Sequence, residues 1–384
     1  MTSRAAGFGR NPGTARVLVG VVMAAGMALA ASSAVVANRV DQDRVPRTER
    51  DQSEAPSVIK SDEEVVFYPS YGRRTPDGAA WELTIRGRIF EREANSLWRG
   101  EIVEQLSDAL DLPSRAVATD CFQRRMRSFL VDNESAKRVG VVVGTETHVL
   151  PASGANGYFE GGVQLSEAAR GDTDVVRFKA VTAEGDTRLF EGVVRLLDTT
   201  GVSVVCDIDD TVKISEVRDK RALLRNTFVE EFRVVPGMAE LLPRVGGDGC
   251  AVHYVSGSPW QLLEELEQFF RRENLPAGTW HLRQFRLKDR SVVDMFAGPE
   301  PHKLESIGAL CRAFPARRFV LVGDSGEQDP EIYGEIARRF GEQVKRILIR
   351  NITNETRDNK RALEAFRGVD GELWEFFTDP AIVK

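Results

Sequence analysis

After Gly201 the chain alternates short apolar runs with amphipathic segments, and few folds accommodate that pattern. Val202–Ile208, Ala251–Val255, Phe319–Val322 and Val344–Ile349 are almost wholly apolar, as expected of strands buried on both faces. Between and after them, Met238–Leu242, Gln261–Phe270, Lys303–Phe314 and Ile332–Phe340 carry helical spacing. Buried strands alternating with helices imply βαβ units. Residues 201–384 are therefore expected to form an α/β domain: a Rossmann-like parallel sheet with helices on both faces. Such sheets gather chemistry at the carboxyl ends of their strands.

The preceding part has a different texture. Within residues 63–200, Val65–Tyr68, Trp81–Phe90, Val139–Val143, Tyr158–Leu165, Val175–Val181 and Leu189–Leu197 read as strands bounded by turn residues. Ile102–Leu110 and Phe122–Phe129 have helical spacing. A β-rich, sandwich-like domain with an inserted helical hairpin is expected, and no paired chemistry is visible in it. Residues 38–62 are charged and Pro-punctuated, which describes a linker.

Val17–Ala37 contains no charge and follows Arg4, Arg10 and Arg16 with no acid. Small residues at Ser32, Ser33, Ala34 and Ala37 complete a signal-peptide pattern over residues 1–37. The run is also long enough for an uncleaved anchor. Either way the chain is expected to be exported across, or anchored in, a membrane, with its bulk extracytoplasmic. Lys and Arg number 52 against 58 Asp and Glu, a net charge of −6, which argues against a nucleic-acid partner. Four cysteines without a CxxC pair, and only four histidines, exclude a disulfide scaffold and a Cys/His zinc site. Cys206 and Cys250 are expected to be free and packed, with a bond between them the alternative in an exported chain, and His253 to be a satisfied core residue.

The first strand of the α/β half runs into Asp207-Ile208-Asp209-Asp210-Thr211. Like charges this close repel and raise one another's pKa unless a cation holds them, and carboxylate oxygens suit Mg²⁺. The competing reading is an acidic turn in which Asp210 or Thr211 accepts backbone N–H groups. Phe319–Val322 ends likewise, in Gly323-Asp324-Ser325-Gly326-Glu327-Gln328-Asp329. If the two strands are neighbours, Asp207, Asp324 and Asp329 converge on one cation, with Gly323 permitting close backbone approach.

Ser256 and Gly257 stand where the second strand ends, able to hold a phosphate oxygen at a helix start. Ser258 reads as the N-cap of the helix after Pro259. Lys303 opens a helix, a position the helix dipole disfavours unless an anion faces it.

Together these residues resemble the haloacid-dehalogenase superfamily of phosphotransferases: DxDxT (Asp207, Asp209, Thr211), a strand-end Ser256, Lys303 opening a helix, and GDxxxxD (Asp324, Asp329). More narrowly, DIDDTVK, YVSGSPWQL, HLRQFRLKD, HK and LVGDSGEQDPEIY over Gly201–Ile352 resemble the actin-patch-associated phosphatidate phosphatase family. The resemblance implies a nucleophile at Asp207, acid–base chemistry at Asp209 and charge neutralisation by Lys303. It also implies Mg²⁺ at Asp207, Asp324, Asp329 and the backbone carbonyl of Asp209, with Thr211, Ser256 and Gly257 steadying the phosphate.

The activity that this resemblance implies is that of a Mg²⁺-dependent phosphatidate phosphatase. Such an enzyme releases diacylglycerol and phosphate through an aspartyl-phosphate, on a phospholipid at a membrane surface. Two alternatives stand beside it: the same chemistry on a soluble phosphomonoester, or a non-catalytic phosphatidate-binding module. Only 44 residues separate Thr211 from Ser256, so no large lid is expected. Trp260, Leu263, Leu266, Phe269 and Phe270 read as core or as a lipid-touching stripe. Lys213, Arg218, Lys220 and Arg221 read as a solvated helix face or a headgroup contact.

Overall fold

The computed structural model describes residues 55–92, 119–171, 173–285 and 300–384. The expected export segment, most of the linker and the helix expected at Ile102–Leu110 lie outside them. Among the described residues no helix is long and apolar enough to cross a membrane.

In the first half, alternating strands carry their apolar residues inward. β1 (Glu63–Phe67), β2 (Ser70–Arg74) and β3 (Ala80–Arg92) are followed by helix α1 (Asp120–Arg127) and strands β4 (Val131–Asn133), β5 (Arg138–Val143) and β6 (Glu146–Ala152). β7 (Tyr158–Ser166), the short helix α2 (Glu167–Arg170), β8 (Val175–Ala180) and β9 (Glu191–Leu197) complete it. The period of two along β3 buries Trp81, Leu83 and Ile85. These meet Val141, Phe178 and Val194 from the other strands in one core. The β-rich part is one continuous nine-stranded sheet, because β2 pairs antiparallel with β3 and parallel with β9.

The second half contains β10 (Thr200–Cys206), α3 (Lys220–Phe228), α4 (Met238–Gly246), β11 (Ala251–Pro259), α5 (Leu263–Arg272) and β12 (Thr279–Arg283). It continues through α6 (Glu300–Ala313), β13 (Ala316–Asp324), α7 (Asp329–Arg339), β14 (Val344–Arg350), α8 (Lys360–Ala365) and β15 (Trp374–Phe377). Its six strands are all parallel, in the order β12-β11-β10-β13-β14-β15. The chain reverses its direction of travel between β10 and β13, so a crevice forms at their carboxyl ends.

Alternate residues feed two cores. Val204, Cys206 and Val322 face α3, α4 and α5, whereas Val205, Leu321 and Ile347 face α6, α7 and α8. The apolar stripe of Trp260, Leu263, Leu266, Phe269 and Phe270 is buried in the first of these. Its spacing made it core rather than a lipid contact.

Glu54–Lys384 clusters as one unit, and specific contacts show why. Phe122, Met126 and Phe129, in and after α1, enter the α/β core, with Phe129 edge-on to Phe228 at 5.5 Å. Arg125 donates to the carbonyls of Thr227 (2.9 Å) and Glu230 (2.7 Å). The backbone N–H of Trp280 reaches the carbonyl of Pro69 at 3.0 Å. All four cysteines are free. His253 is buried, with Thr279 Oγ1 at 2.7 Å and Ser203 Oγ at 3.2 Å from its two nitrogens, and burial pulls its pKa down to about 3.

Candidate active site

β10 and β13 pair in register from Thr200 to Cys206, so the acids that follow both strands emerge side by side. Asp207 is anchored by its own N–H on the carbonyl of Val322 at 2.9 Å. Ligand atoms from Asp207, Asp324 and Asp329 all lie within 4.8 Å of one another, and the three side chains are fully buried. The approach depends on Gly323: a Cβ there would lie 2.3 Å from Asp329 Oδ2. That oxygen accepts the N–H of Asp324 at 3.1 Å. Asp324 Oδ1 accepts the N–H groups of Gly326 (2.6 Å) and Glu327 (3.2 Å).

Lys303, in the first turn of α6, supplies the only ammonium in this cluster among the described residues. It is 1 % exposed. Its Nζ donates to Glu327 Oε2 at 2.8 Å and Asp329 Oδ1 at 2.7 Å, and it stands 2.8 Å from Asp207 Oδ1 as an ion pair. Burial opposes its charge, but Asp207, Asp329 and Glu327 overcome that and hold it well above the usual lysine range. The carboxylates lack equal compensation. Burial, reinforced by the neighbouring acids, pushes Asp207 and Asp324 well above the carboxylate range despite Lys303. Burial likewise raises Glu327.

The donor set fits a divalent cation. Asp324 Oδ2 is buried without a hydrogen-bond partner and Asp207 Oδ1 has only the Lys303 ion pair, a costly condition for charged oxygens that a cation between them relieves. Three hard oxygens at this spacing match the ligand chemistry of Mg²⁺.

Asp209 and Ser256 are brought together, but in an adjoining network rather than in the carboxylate triad. Asp209 Oδ1 receives Ser215 Oγ at 2.7 Å and stands 2.7 Å from Lys213 Nζ. Its Oδ2 accepts from Ser258 at 2.7 Å and Ser256 at 3.2 Å. Burial alone would raise this carboxyl, yet Lys213 and the hydroxyls bring it down to about 2. Thr211 Oγ1 donates to Asp207 Oδ2 at 3.0 Å, and Gly257 is half-buried between the two serines.

Asp210 shows that the acidic-turn reading also describes part of the motif. At φ 52° it accepts the N–H groups of Ser215 (2.8 Å), Glu216 (2.9 Å) and Val217 (2.7 Å). It builds the loop and contributes no ligand to the triad.

Two expectations need correction. Lys213 is 1 % exposed and paired with Asp209, not part of a solvated face. Ser258 is no helix cap: Pro259 precedes the following turn, while the Ser258 hydroxyl serves Asp209. The β11–β12 register shifts between Val255 and Pro259, which takes this stretch out of regular pairing. Ser215, Lys213, Ser258 and Glu327 all stood within or beside the motifs. Only the folded loop reveals their partners.

The fold and the cluster thus define a Rossmann-ordered α/β domain with a buried carboxylate–lysine centre at its topological switch point. Residues 202–351 match the family described as phosphatidate phosphatase APP1, catalytic domain. This segment is similar to that family's catalytic domain and distantly similar to yeast APP1. An uncharacterized protein of Schizosaccharomyces pombe, C29B5.04c, is 30 % identical over 47 % of this chain and 30 % of its own length. Phosphatidate phosphatase APP1 of Saccharomyces cerevisiae is 34 % identical over 41 % of this chain and 27 % of its own. The match therefore spans under a third of either relative. A glycerol-bound β-glucuronidase of Parabacteroides merdae overlaps 75 % of this chain and 34 % of its own at 10 % identity, with a TM-score of 0.25, too slight a likeness to inform the fold.

Proposed function

We propose that the chain is a divalent-cation-dependent phosphatidate phosphatase. The observation that carries this is the buried triad of Asp207, Asp324 and Asp329 sharing the single cation Lys303, with Asp324 Oδ2 lacking a partner. The substrate class comes from the family match over residues 202–351.

Asp207 attacks the phosphorus, forming an Oδ–P bond as the P–O bond to the diacylglycerol oxygen breaks. Lys303 offsets charge on the phosphoryl oxygens, where phosphoryl transfer is mainly catalysed. Asp207, Asp324, Asp329 and the carbonyl of Asp209 would hold Mg²⁺, which would supply further neutralisation there. Thr211 fixes the Asp207 carboxylate, and Ser256 and Gly257 line the phosphate's approach.

Asp209 protonates the leaving alkoxide, then takes a proton from the water that hydrolyses the aspartyl-phosphate. Its contacts with Lys213 and three serines favour the ionised form that the second step needs. The first step needs the protonated form, so substrate entry must loosen the Lys213 contact. A carboxylate equipped for proton transfer beside a nucleophile favours an enzyme over a binding module.

The test is phosphate release from phosphatidate in mixed micelles with Mg²⁺, beside a soluble aryl phosphate. Release that prefers the lipid and disappears with EDTA is expected. Equal turnover of both substrates overturns the lipid assignment, and phosphatidate binding without turnover overturns the enzymatic one. We further propose that the chain acts on the extracytoplasmic side. Fractionation of a tagged chain tests this, and a cytosolic pool would contradict it.

A further inference from the structure

A cavity of about 510 Å³ adjoins the site on its β14 side, lined by Asp210, Glu216, Arg218, Asp219, Arg225 and Arg350 among others. It shares a wall with the catalytic centre: Asp210 follows Asp209, and Arg350 pairs in register with Asp324. Its charges are unevenly satisfied. Asp210 is consumed by three backbone N–H groups. Asp219 caps α3 through the N–H groups of Arg221 and Ala222, and Glu216 accepts from Asn226 at 3.0 Å.

The arginines are less fully engaged. Arg218 and Arg225 are exposed and form no ion pair with a described residue. Arg350 Nη1 donates to the carbonyl of Asp210 at 2.6 Å, but its Nε is buried without a hydrogen-bond partner. Arg218 and Arg225, unpaired among the described residues beside Arg350 in a wall whose acids are already engaged, leave positive charge for an anionic occupant.

We propose that this cavity is an oxyanion site, built on Arg218, Arg225 and Arg350, that receives a headgroup phosphate of an anionic lipid neighbouring the one being hydrolysed. It docks the mouth of the active site on an anionic membrane surface, and it rests on the phosphatidate reading above only for that choice of surface.

The test is sedimentation of the full chain with phosphatidylcholine vesicles, with and without phosphatidylserine, in EDTA. Phosphatidylserine is not a phosphomonoester, so binding is read without turnover. Failure here leaves the phosphatase reading intact, and absence of turnover leaves this result readable. Charge reversal by Arg218→Glu with Arg225→Glu should weaken phosphatidylserine-dependent binding roughly tenfold or more. Arg177→Glu with Lys179→Glu, an exposed pair on β8 with the same charge change, should retain it. Arg225→Gln alone, the milder change should the double variant fail to fold, should weaken it roughly threefold to fivefold. Equal losses in the two double variants, or no dependence on phosphatidylserine in the wild type, overturn the proposal. So does a wild type that binds inorganic phosphate through Arg218 and Arg225 but ignores the vesicles.

Discussion

Two triads of carboxylates exist among the described residues, and they differ in what surrounds them. Glu63, Glu91 and Glu134 in the β-rich half come as close together as Asp207, Asp324 and Asp329 do. Yet Glu63 has Lys137 at 2.5 Å and Lys60 at 3.3 Å, and Lys60 also reaches Glu91 at 3.0 Å. Glu91 and Glu134 keep partial contact with solvent. Burial pushes the Glu63 carboxyl up, but Lys137 and the Lys60 backbone bring it below its usual range. The aspartate triad has no solvent and a single lysine, which also serves Glu327. Proximity of acids therefore does not make a metal centre. Charge that the surroundings do not meet, in a dry place, is what a cation can relieve.

The sharpest way to break this contrast is Asp207→Asn, which should lower phosphate release by on the order of 10³ or more, whereas Glu63→Gln leaves it near wild type. A steady-state assay on phosphatidate distinguishes them. Next in size is cation binding. Calorimetric titration with Mg²⁺ should show Asp324→Asn binding at least ~10-fold more weakly than wild type, and Glu91→Gln binding unchanged. Loss of affinity in the glutamate variant would erase the distinction between the triads.

Lys213→Met sharpens it from another side, because Asp209 is a buried acid whose charge is met. Breaking a buried pair of this kind should cost about 3–5 kcal/mol in denaturant unfolding. It should also move the acidic limb of the rate profile upward, as Asp209 loses what holds it near 2.

The smallest effect is in pH dependence. Asp207 and Asp324 have folded pKa values raised above the unfolded ones, so between those values the folded state binds more protons. In EDTA their contribution to stability is present below about pH 4 and is lost as pH rises through the raised values. Asp209 has the opposite sign: its contribution is full above about pH 4 and is lost as pH falls towards 2. Thermal melts across pH should show Asp324→Asn flattening the first slope but not the second. Saturating Mg²⁺ should flatten it too. An unaltered slope in both cases contradicts the unmet charge.

Much of the α/β half was legible because its strands are buried on both faces and need no tertiary information to be recognised. The motif order even placed Asp207 and Asp324 on strands that prove to be neighbours. Contacts made only in three dimensions were not legible. β2, with the sequence SYGRR, lacks an apolar period, yet it joins the whole first sheet into one. α1 lies amid the β-rich sequence but buries Phe122 and Met126 in the α/β core. Lys213 looked like one more surface cation. Its partner lies on the same tight loop, and a positive φ at Asp210 helps to shape that loop.

The central claim is tested most directly by soaking crystals of the chain with Mn²⁺ and computing an anomalous difference map. A peak between Asp207 and Asp324, within ~2.3 Å of oxygens from both, is the expected result, with nothing at Glu63, Glu91 and Glu134. An empty aspartate triad, or a peak at the glutamates alone, would contradict it.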